Sequence, residues 1–241
     1  MPRLYVDAAA PLTPDSDVVL PDAPAHHLTR VLRMGEGAPV VLFDGRGREA
    51  GGLLVAAGRK EVVVRLASVW DGQPASPLAV HLGQAISKGD RMDYAIQKAV
   101  ELGVAAITPL YTEHGDVRLK GEREAKKLGH WQAVAISACE QCGRAIVPTV
   151  YTPRPLADWL DAREESLRLI LHPATQNALQ MTYSSADAAL LIGPEGGISD
   201  REVALAATAG FQPLTLGPRI LRTETAPVVA LSLLQHYFGD L

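Results

Sequence analysis

The sequence predicts an α/β protein with two domains, and three observations indicate this architecture. Short apolar and alternating runs, typical of β-strands, occupy roughly the first 70 residues. From Leu78 onward, strand-like and helix-like segments alternate, as in a mostly parallel sheet covered by helices. Between these regions, residues 72–77 read GQPASP, a cluster of chain breakers typical of a linker. We therefore expect domains at residues 1–71 and 78–241.

The predicted first domain is rich in β-strands and contains one helix. Strands are expected at Arg3–Val6, Pro39–Phe43, Gly52–Ala56 and Glu61–Val69. The helix is expected over Ala25–Met34, because Leu28, Val31 and Leu32 share one face at helical spacing.

The predicted second domain alternates strands with helices. Strands are expected at Leu78–Ala85, Val104–Leu110, Ile146–Tyr151, Leu167–Leu171, Ala188–Ile192 and Pro213–Leu216. One helix is expected to be capped by Asp90 and to end at Gly103, and a longer one to lie within Glu122–Gln141. A capping box at Ser199–Glu202 opens a third helix, and the last begins near Thr225. The apolar side of the last helix comprises Ala226, Val229, Ala230, Leu233, Leu234 and Tyr237, with Leu231 outside this stripe. This helix could cover the core and also contribute to a dimer interface, and the sequence alone does not separate these two roles.

Composition and charge exclude several classes of protein. The 241 residues are 47% hydrophobic and 21% charged, which excludes disordered and collagen-like chains. The longest apolar stretches fall far short of the roughly 20 residues that span a bilayer. The N-terminus has no secretory signal pattern, so we expect a cytoplasmic protein without a membrane segment. The net charge of −4 means that a nucleic acid would be bound by local basic patches.

The two cysteines, Cys139 and Cys142, give neither a disulfide framework nor a four-ligand zinc site, and no metal is expected. Their C-x-x-C spacing lies at the end of a predicted helix. A redox motif of this type would open a helix after a strand. Packing is the role we expect for them.

The first segment that carries chemistry is Gly193–Ser199, with the sequence GPEGGIS, between a buried strand and a capped helix. The carboxyl ends of strands in an open α/β sheet are where ligands bind. Glycines there allow positive φ angles and a close approach of the backbone to a ligand. The alternative is a tight connection that merely needs glycine. The segment is neither a P-loop nor a Rossmann fingerprint.

The second segment is Leu216–Ala226, with the sequence LGPRILRTETA, which also joins a strand to a helix. Two arginines and a carboxylate beside a helix N-terminus suit an anionic or polar ligand. The alternative is ordinary capping by Thr223, Glu224 or Thr225, with solvated arginines.

Together, these two segments resemble the signature loops of the ribosomal RNA small subunit methyltransferase E family, whose members methylate N3 of a uridine in 16S ribosomal RNA. Further segments resemble the same family in order along nearly the whole chain: His27–Met34, Lys88–Gly103, Cys139–Arg144 with Val147–Pro148, and Phe238–Asp240. The resemblance implies an N-terminal PUA-like β-barrel for RNA, a C-terminal SPOUT α/β domain with a trefoil knot, and a homodimer.

The resemblance also implies a cofactor, S-adenosylmethionine, held by the loops that would form the knot. By position, its binding residues would be Leu171, His172, Ile192, Gly193, Pro194, Glu195, Gly196, Gly197, Leu216, Gly217, Ile220, Leu221, Arg222, Thr223 and Ala226. The methionine end would lie nearer Arg222 and Ala226. Where the family commonly has arginine at one position and often has it at another, this chain has His114 and Ala174 respectively. These two differences weaken any role of the two positions in supplying a positive charge to RNA.

Methylation at N3 needs a proton acceptor and a positive charge near the base, because N3 carries a proton and charge builds on the neighbouring oxygens. Glu195 and Glu224 are candidates for the acceptor, and Arg222 and Arg144 for the positive charge. A carboxylate fixed at a helix start by the dipole is the alternative for both glutamates.

Basic residues are the candidates for contact with 16S ribosomal RNA in the small subunit. They are Arg3, Arg30, Arg33, Arg118, Lys120 and Arg123, followed by Lys126 and Lys127. The alternative for such a run is a solvated helix face. Two other functions stay open: a SPOUT 2'-O-ribose methyltransferase acting on another RNA, and a non-enzymatic assembly factor that binds RNA. The glycine-rich loops argue against the assembly factor, since such a protein has no need of a cofactor pocket.

Overall fold

A computed structural model describes residues 1–7, 11–58, 61–172 and 186–241. The chain forms two compact units. The first comprises Met1–Pro74 with Cys139–Val147, and the second comprises Ala75–Ala138 with Pro148–Leu241. The first unit thus includes a segment, Cys139–Val147, that lies far along the chain from the rest of it.

The first unit is built on a mixed five-stranded sheet. Its strands are β1 (Arg3–Tyr5), β2 (Asp17–Val19), β3 (Pro39–Phe43), β4 (Arg48–Ala57) and β5 (Val62–Asp71). Their order is β1-β3-β4-β5-β2, and only the β1–β3 pair is parallel. The alternating pattern of β4 and β5 buries one face, where Leu54, Val64 and Leu66 form part of the core.

The helical piece of the first unit differs from the prediction. Helix α1 covers only Asp22–His26, and a π-helical turn follows over His27–Val31. The wider turn breaks the 3.6-residue periodicity on which the prediction of a shared face rested. Leu28 is fully buried, whereas Val31 is 58% exposed and Leu32 is 43% exposed. The three side chains predicted to share one helical face therefore differ in burial, and only Leu28 belongs to the core.

The second unit is built on an entirely parallel seven-stranded sheet. Its strands are β6 (Ala79–Ala85), β7 (Ala106–Tyr111), β8 (Thr149–Val150), β9 (Arg154–Pro155), β10 (Leu167–Leu171), β11 (Asp187–Ile192) and β12 (Gln212–Leu214). The order is β12-β10-β11-β6-β7-β8, with β9 also pairing with β7. Near-continuous apolar runs such as that of β11 are typical of strands covered on both faces, and β11 is buried from Ala188 to Ile192.

The helices of the second unit are α2 (Asp90–Glu101), α3 (Glu122–Cys142), α4 (Leu156–Asp161), α5 (Asp200–Thr208) and α6 (Ala226–Phe238). α2 ends as predicted, because Gly103 adopts a φ of 78°. Asp90 is not the cap, however. It is the first helical residue, and Gly89, with a φ of 61°, precedes it without a side-chain hydrogen bond.

The buried side of α6 also differs from the predicted stripe. Leu231, predicted to lie outside the stripe, is fully buried together with Ala230 and Leu234. Tyr237, predicted to lie within it, is 40% exposed. The buried side includes a fully buried glutamine, Gln235, whose amide nitrogen donates to the Gly103 carbonyl at 3.2 Å. An apolar stripe drawn from hydrophobicity alone cannot include a glutamine.

The structure agrees with the packing expected for the cysteines. Cys139 is buried near the end of α3, Cys142 is partly buried, and both are free thiols. Burial raises the pKa of Cys139 to about 12. Among the described residues, no helix is long and apolar enough to cross a membrane.

Candidate active site

The candidate site is a cavity at the carboxyl ends of adjacent parallel strands. Because β12, β10 and β11 lie side by side, the segments that follow them leave the same edge of the sheet. These segments and the start of α2 enclose about 630 Å³, within the range of small-molecule sites. Every predicted cofactor residue except Gly196 lines the cavity: Leu171, His172, Ile192, Gly193, Pro194, Glu195, Gly197, Leu216, Gly217, Ile220, Leu221, Arg222, Thr223 and Ala226.

Glycine is required at several positions of the cavity wall. Gly197 and Gly217 have φ angles of 76° and 81°, in the left-handed region that other residues rarely adopt. Gly193 is required for another reason. A Cβ atom added there would lie 2.6 Å from Cγ1 of Ile198, which is far inside van der Waals contact.

Gly196 is exposed and makes a different contact. Its carbonyl oxygen lies 3.2 Å from Nδ1 of His114, a residue at one of the two departures from the family pattern. At this position the chain therefore contacts its own glycine-rich loop. The other departure, Ala174, lies outside the described residues.

The capping box predicted at the start of α5 is present. The Ser199 hydroxyl accepts from the Glu202 backbone N–H, and the Glu202 carboxylate accepts from the Ser199 N–H. The other carboxylate oxygen of Glu202 accepts from the Glu113 N–H at 2.9 Å. One buried carboxylate thus fixes both the end of the glycine-rich loop and the loop that follows β7.

An ion pair at the cavity wall escaped the sequence analysis. Arg91, in the first turn of α2, places Nη1 2.7 Å from Oε1 of Glu195. Nothing in the sequence around Arg91 indicates a partner more than a hundred residues away. Four further lining residues were not named as cofactor-binding residues, namely Ile198, Leu214, Thr215 and Arg219. Ile198 and Arg219 lie within the two predicted segments, and Leu214 and Thr215 directly precede the second, so their position in the sequence was the available signal.

Three of the four predicted catalytic residues line the cavity: Glu195, Arg222 and Glu224. Oε2 of Glu224 is buried and has no hydrogen-bond partner within the part of the chain that the structure describes. Arg144 is not among the lining residues. It belongs to the first unit, where its carbonyl oxygen accepts from Nη2 of Arg3 at 3.3 Å.

The predicted RNA-binding residues fall into two groups. Arg30, Arg33, Lys120 and Arg123 are exposed, and their side chains make no hydrogen bond or ion pair with another described residue. The guanidinium groups of Arg3 and of Arg118, which is also exposed, make hydrogen bonds within the protein. Arg3 is bound to the Glu49 carboxylate and to the Cys139 carbonyl, and Arg118 donates to the carbonyls of Thr112, Gly115 and Val117.

A second cavity, of about 560 Å³, lies beside β6 and β7 and contains a neutral histidine. Nδ1 of His81 lies 2.5 Å from Nη1 of Arg163, and Nε2 lies 2.8 Å from the Thr108 hydroxyl. Because a guanidinium only donates, Nδ1 must be the acceptor and Nε2 carries the proton. Burial, followed by the charges of Arg163 and Arg154, lowers the pKa of His81 to about 3. Glu165, 3.6 Å away, is itself bound by Arg163 and does not reverse this shift.

Comparison with known proteins places this geometry in a family. The family model described as RNA methyltransferase domain matches residues 74–235, and the one described as RNA methyltransferase PUA domain matches residues 20–67. The ribosomal RNA small subunit methyltransferase E of Buchnera aphidicola (subspecies Acyrthosiphon pisum) is 34% identical over 100% of this chain and 95% of its own length. The chain belongs to the ribosomal RNA small subunit methyltransferase E family.

Solved structures resemble this family member over its full length. A methyltransferase from Legionella pneumophila, in complex with the cofactor S-adenosylmethionine, has a TM-score of 0.95 and 44% identity, covering 99% of this chain and 98% of that one. The ribosomal RNA small subunit methyltransferase E of Neisseria gonorrhoeae, bound to S-adenosylmethionine, has a TM-score of 0.92 and 38% identity, covering 100% and 99%. The fold is therefore a mixed α/β fold with a PUA-like domain and a methyltransferase domain.

Within the described ranges, no group of histidine, cysteine, aspartate or glutamate side chains could hold a metal ion.

Proposed function

We propose that this enzyme methylates N3 of a uridine in 16S ribosomal RNA, with S-adenosylmethionine as the methyl donor. The observation that carries the proposal is the cavity formed by both glycine-rich loops, with the unpartnered carboxylate oxygen of Glu224 buried at its wall. RNA methyltransferase activity and the donor are properties of the family to which the chain belongs. The N3 position rests on the family resemblance together with the carboxylate.

The residues of the cavity fit S-adenosylmethionine. The volume suits a ligand of this size, and the backbone of Gly193 and Gly197 is open to close approach because neither carries a side chain. We assign the adenosine end to backbone groups of Ile192, Gly193 and Leu216, and the methionine end to the neighbourhood of Arg222 and Ala226. When bound, the cofactor would supply an activated methyl group, because its sulfonium sulfur leaves as a neutral thioether when an in-line nucleophile bonds to the methyl carbon.

The main task of the protein in such a transfer is to hold the acceptor nitrogen in near-attack geometry. N3 lies on the pairing edge of uridine, so the base must be unpaired or flipped into the cavity. Glu224 would accept the N3 proton. The guanidinium of Arg222 would stabilise the negative charge on the base oxygens and, since it stays protonated, would act electrostatically.

Glu195 and Arg144 are the second candidates for these two roles. Glu195 is engaged by Arg91, which makes it a weaker acceptor than Glu224. Arg144 lies in the first unit, so its role would depend on how the RNA or a second copy of the chain approaches the cavity.

Four finer properties are part of the same proposal. The first unit would be a β-barrel that binds RNA through Arg30 and Arg33. The loops around the cavity would form a trefoil knot. The enzyme would work as a homodimer in the cytoplasm, and the half-exposed apolar residues Val229 and Leu233 with the exposed Tyr237 on α6 support an interface there. The substrate would be the assembled small ribosomal subunit.

The test combines cofactor binding with product analysis. The purified protein is titrated calorimetrically with S-adenosylmethionine and then incubated with labelled cofactor and unmodified small ribosomal subunits. We expect saturable binding and label recovered as N3-methyluridine. Label in a 2'-O-methylated nucleoside would show that the ribose, and not the base, is the target. Absence of binding at millimolar cofactor would overturn the proposed methyltransferase activity in favour of a protein that only binds RNA.

A further inference from the structure

A buried glutamine lies next to residues of the cavity wall but does not line the cavity itself. Gln84 lies near the carboxyl end of β6, where its backbone pairs with Ile192, the residue before Gly193. The side chain is fully buried. Its amide nitrogen Nε2 lies 3.1 Å from the Thr223 hydroxyl and 3.3 Å from the Ala85 carbonyl oxygen.

The direction of these hydrogen bonds is fixed by the number of available protons. The Thr223 hydroxyl has one proton, which it donates to the Gly193 carbonyl at 2.8 Å. The same hydroxyl can therefore only accept from Gln84, which must direct its nitrogen towards Thr223. The result is a chain of hydrogen bonds from the Gln84 amide through the Thr223 hydroxyl to the Gly193 carbonyl.

These consecutive hydrogen bonds join the two loops that form the cavity. Gly193 begins the loop after β11, and Thr223 lies three residues before α6, near the end of the loop after β12. The third member, Gln84, lies on a strand whose residues from Leu82 to Ala85 are buried. A buried strand thus supports the contact between the two loops.

The arrangement costs the protein stability. Oε1 of Gln84 is buried and has no partner among the residues that the structure describes. A buried acceptor without a partner is destabilising. Leucine at position 84 would remove this cost, whereas valine at position 223 would leave the Gly193 carbonyl without the Thr223 hydroxyl.

We propose that Gln84 is a positioning residue for the cofactor. Before S-adenosylmethionine binds, Gln84 holds the two loops at the separation that the cofactor requires. Gln84 acts through Thr223 and Gly193 and does not touch the ligand. Loops that are already held in the binding conformation lose less entropy when the ligand arrives, so affinity rises. The inference rests on the proposed cofactor and adds the residue that prepares its site.

The test is a double-mutant cycle on the full-length protein, measured by calorimetric titration with S-adenosylmethionine and by thermal unfolding. We expect Gln84→Leu and Thr223→Val each to weaken binding about tenfold, which corresponds to about 1.4 kcal/mol. The double variant should bind no more weakly than either single variant, because one substitution already interrupts the series of hydrogen bonds. The unfolding temperature of Gln84→Leu should stay close to that of the wild type, because the substitution also removes the unpartnered Oε1. A purely structural role would not separate affinity from stability in this way.

Gln235→Leu is the matched control, since it removes a fully buried glutamine that does not line the cavity, and its Kd should stay within about threefold of the wild type. The inference is overturned if the double variant binds as tightly as the wild type, or if the Gln84→Leu and Gln235→Leu variants bind equally. Should the double variant fail to fold, Gln84→Leu against Gln235→Leu decides in the same way. If the wild-type protein itself does not bind S-adenosylmethionine, the proposed function fails, and this inference fails with it.

Discussion

Nη1 of Arg91 lies 2.7 Å from Oε1 of Glu195, so an ion pair connects the first turn of α2 with the glycine-rich loop that follows β11. The hydrogen bond to Glu195 raises the pKa of Arg91, and both side chains are more than two-fifths exposed. An exposed pair of this type contributes little to stability. Its consequence is chemical, because it engages Glu195, and under the proposed function Glu224 is then the acceptor of the N3 proton.

Glu224→Gln should therefore lower kcat for methyl transfer by about 100-fold, a usual loss when a general base is removed. The glutamine keeps the size of the side chain and cannot take up the N3 proton. Label transfer to unmodified small subunits measures the rate, and calorimetry should give an S-adenosylmethionine Kd close to that of the wild type. Glu195→Gln is the control and should reduce kcat only a few-fold; the reverse ranking would make Glu195 the acceptor.

Gly193→Ala should weaken S-adenosylmethionine binding at least tenfold, or about 1.4 kcal/mol. The new Cβ would displace Ile198, which lines the cavity. Adding Ile198→Ala to this variant should restore part of the affinity, because the clash is with that side chain. Gly129→Ala is the matched control: a Cβ there meets no atom within 4 Å, and alanine in a helix should stabilise α3 by about 0.5 to 1 kcal/mol. Equal affinities for the two variants would contradict the steric account.

His81 should make stability fall in acid. The pKa of His81 is lowered to about 3 in the folded protein, while an unfolded histidine titrates near its usual value of about 6.5. Between these values the unfolded chain binds a proton that the folded chain does not, so stability is present above pH 6.5 and is lost as the pH falls. Over one pH unit near pH 5 the wild type should lose about 1.4 kcal/mol more than His81→Asn in urea unfolding. Parallel pH profiles of the two proteins would disprove this.

Arg30 and Arg33 should act on RNA, and Arg3 on stability. The double variant Arg30→Ala/Arg33→Ala removes two exposed charges, so it should weaken RNA binding and lower the slope of log K against log salt by about 0.7 for each phosphate that is no longer neutralised. Its unfolding should be unchanged. In contrast, Arg3→Ala leaves the Glu49 carboxylate without its cation and should cost about 1 to 3 kcal/mol of stability. An unchanged salt slope in the double variant would remove both residues from the RNA interface.

The sequence was sufficient for those parts of the site that rest on local pattern. The glycines of the two loops, the strands before them and the Ser199–Glu202 capping box each have a signature within a few residues. Because the carboxyl ends of parallel strands share one edge of a sheet, the two loops could also be predicted to meet.

The features that were missed depend on residues distant from each other in sequence. Gln84 and Thr223 are 139 residues apart, and nothing near a glutamine in an apolar strand indicates its partner. The same holds for Arg91 with Glu195. The π-helical turn at His27–Val31 escaped for a different reason, since its i to i+5 bond from Leu32 to His27 leaves no periodic trace in five residues.

Ile220 gives the cavity a calorimetric property. This side chain lines the cavity and is 85% exposed, far more than any other large apolar residue in the same wall. A ligand that fills the cavity covers the Ile220 side chain and releases the water around that side chain. Burial of apolar surface on binding gives a negative heat-capacity change. The binding enthalpy should therefore become more favourable with each degree of warming, and Ile220→Ser should reduce that temperature dependence.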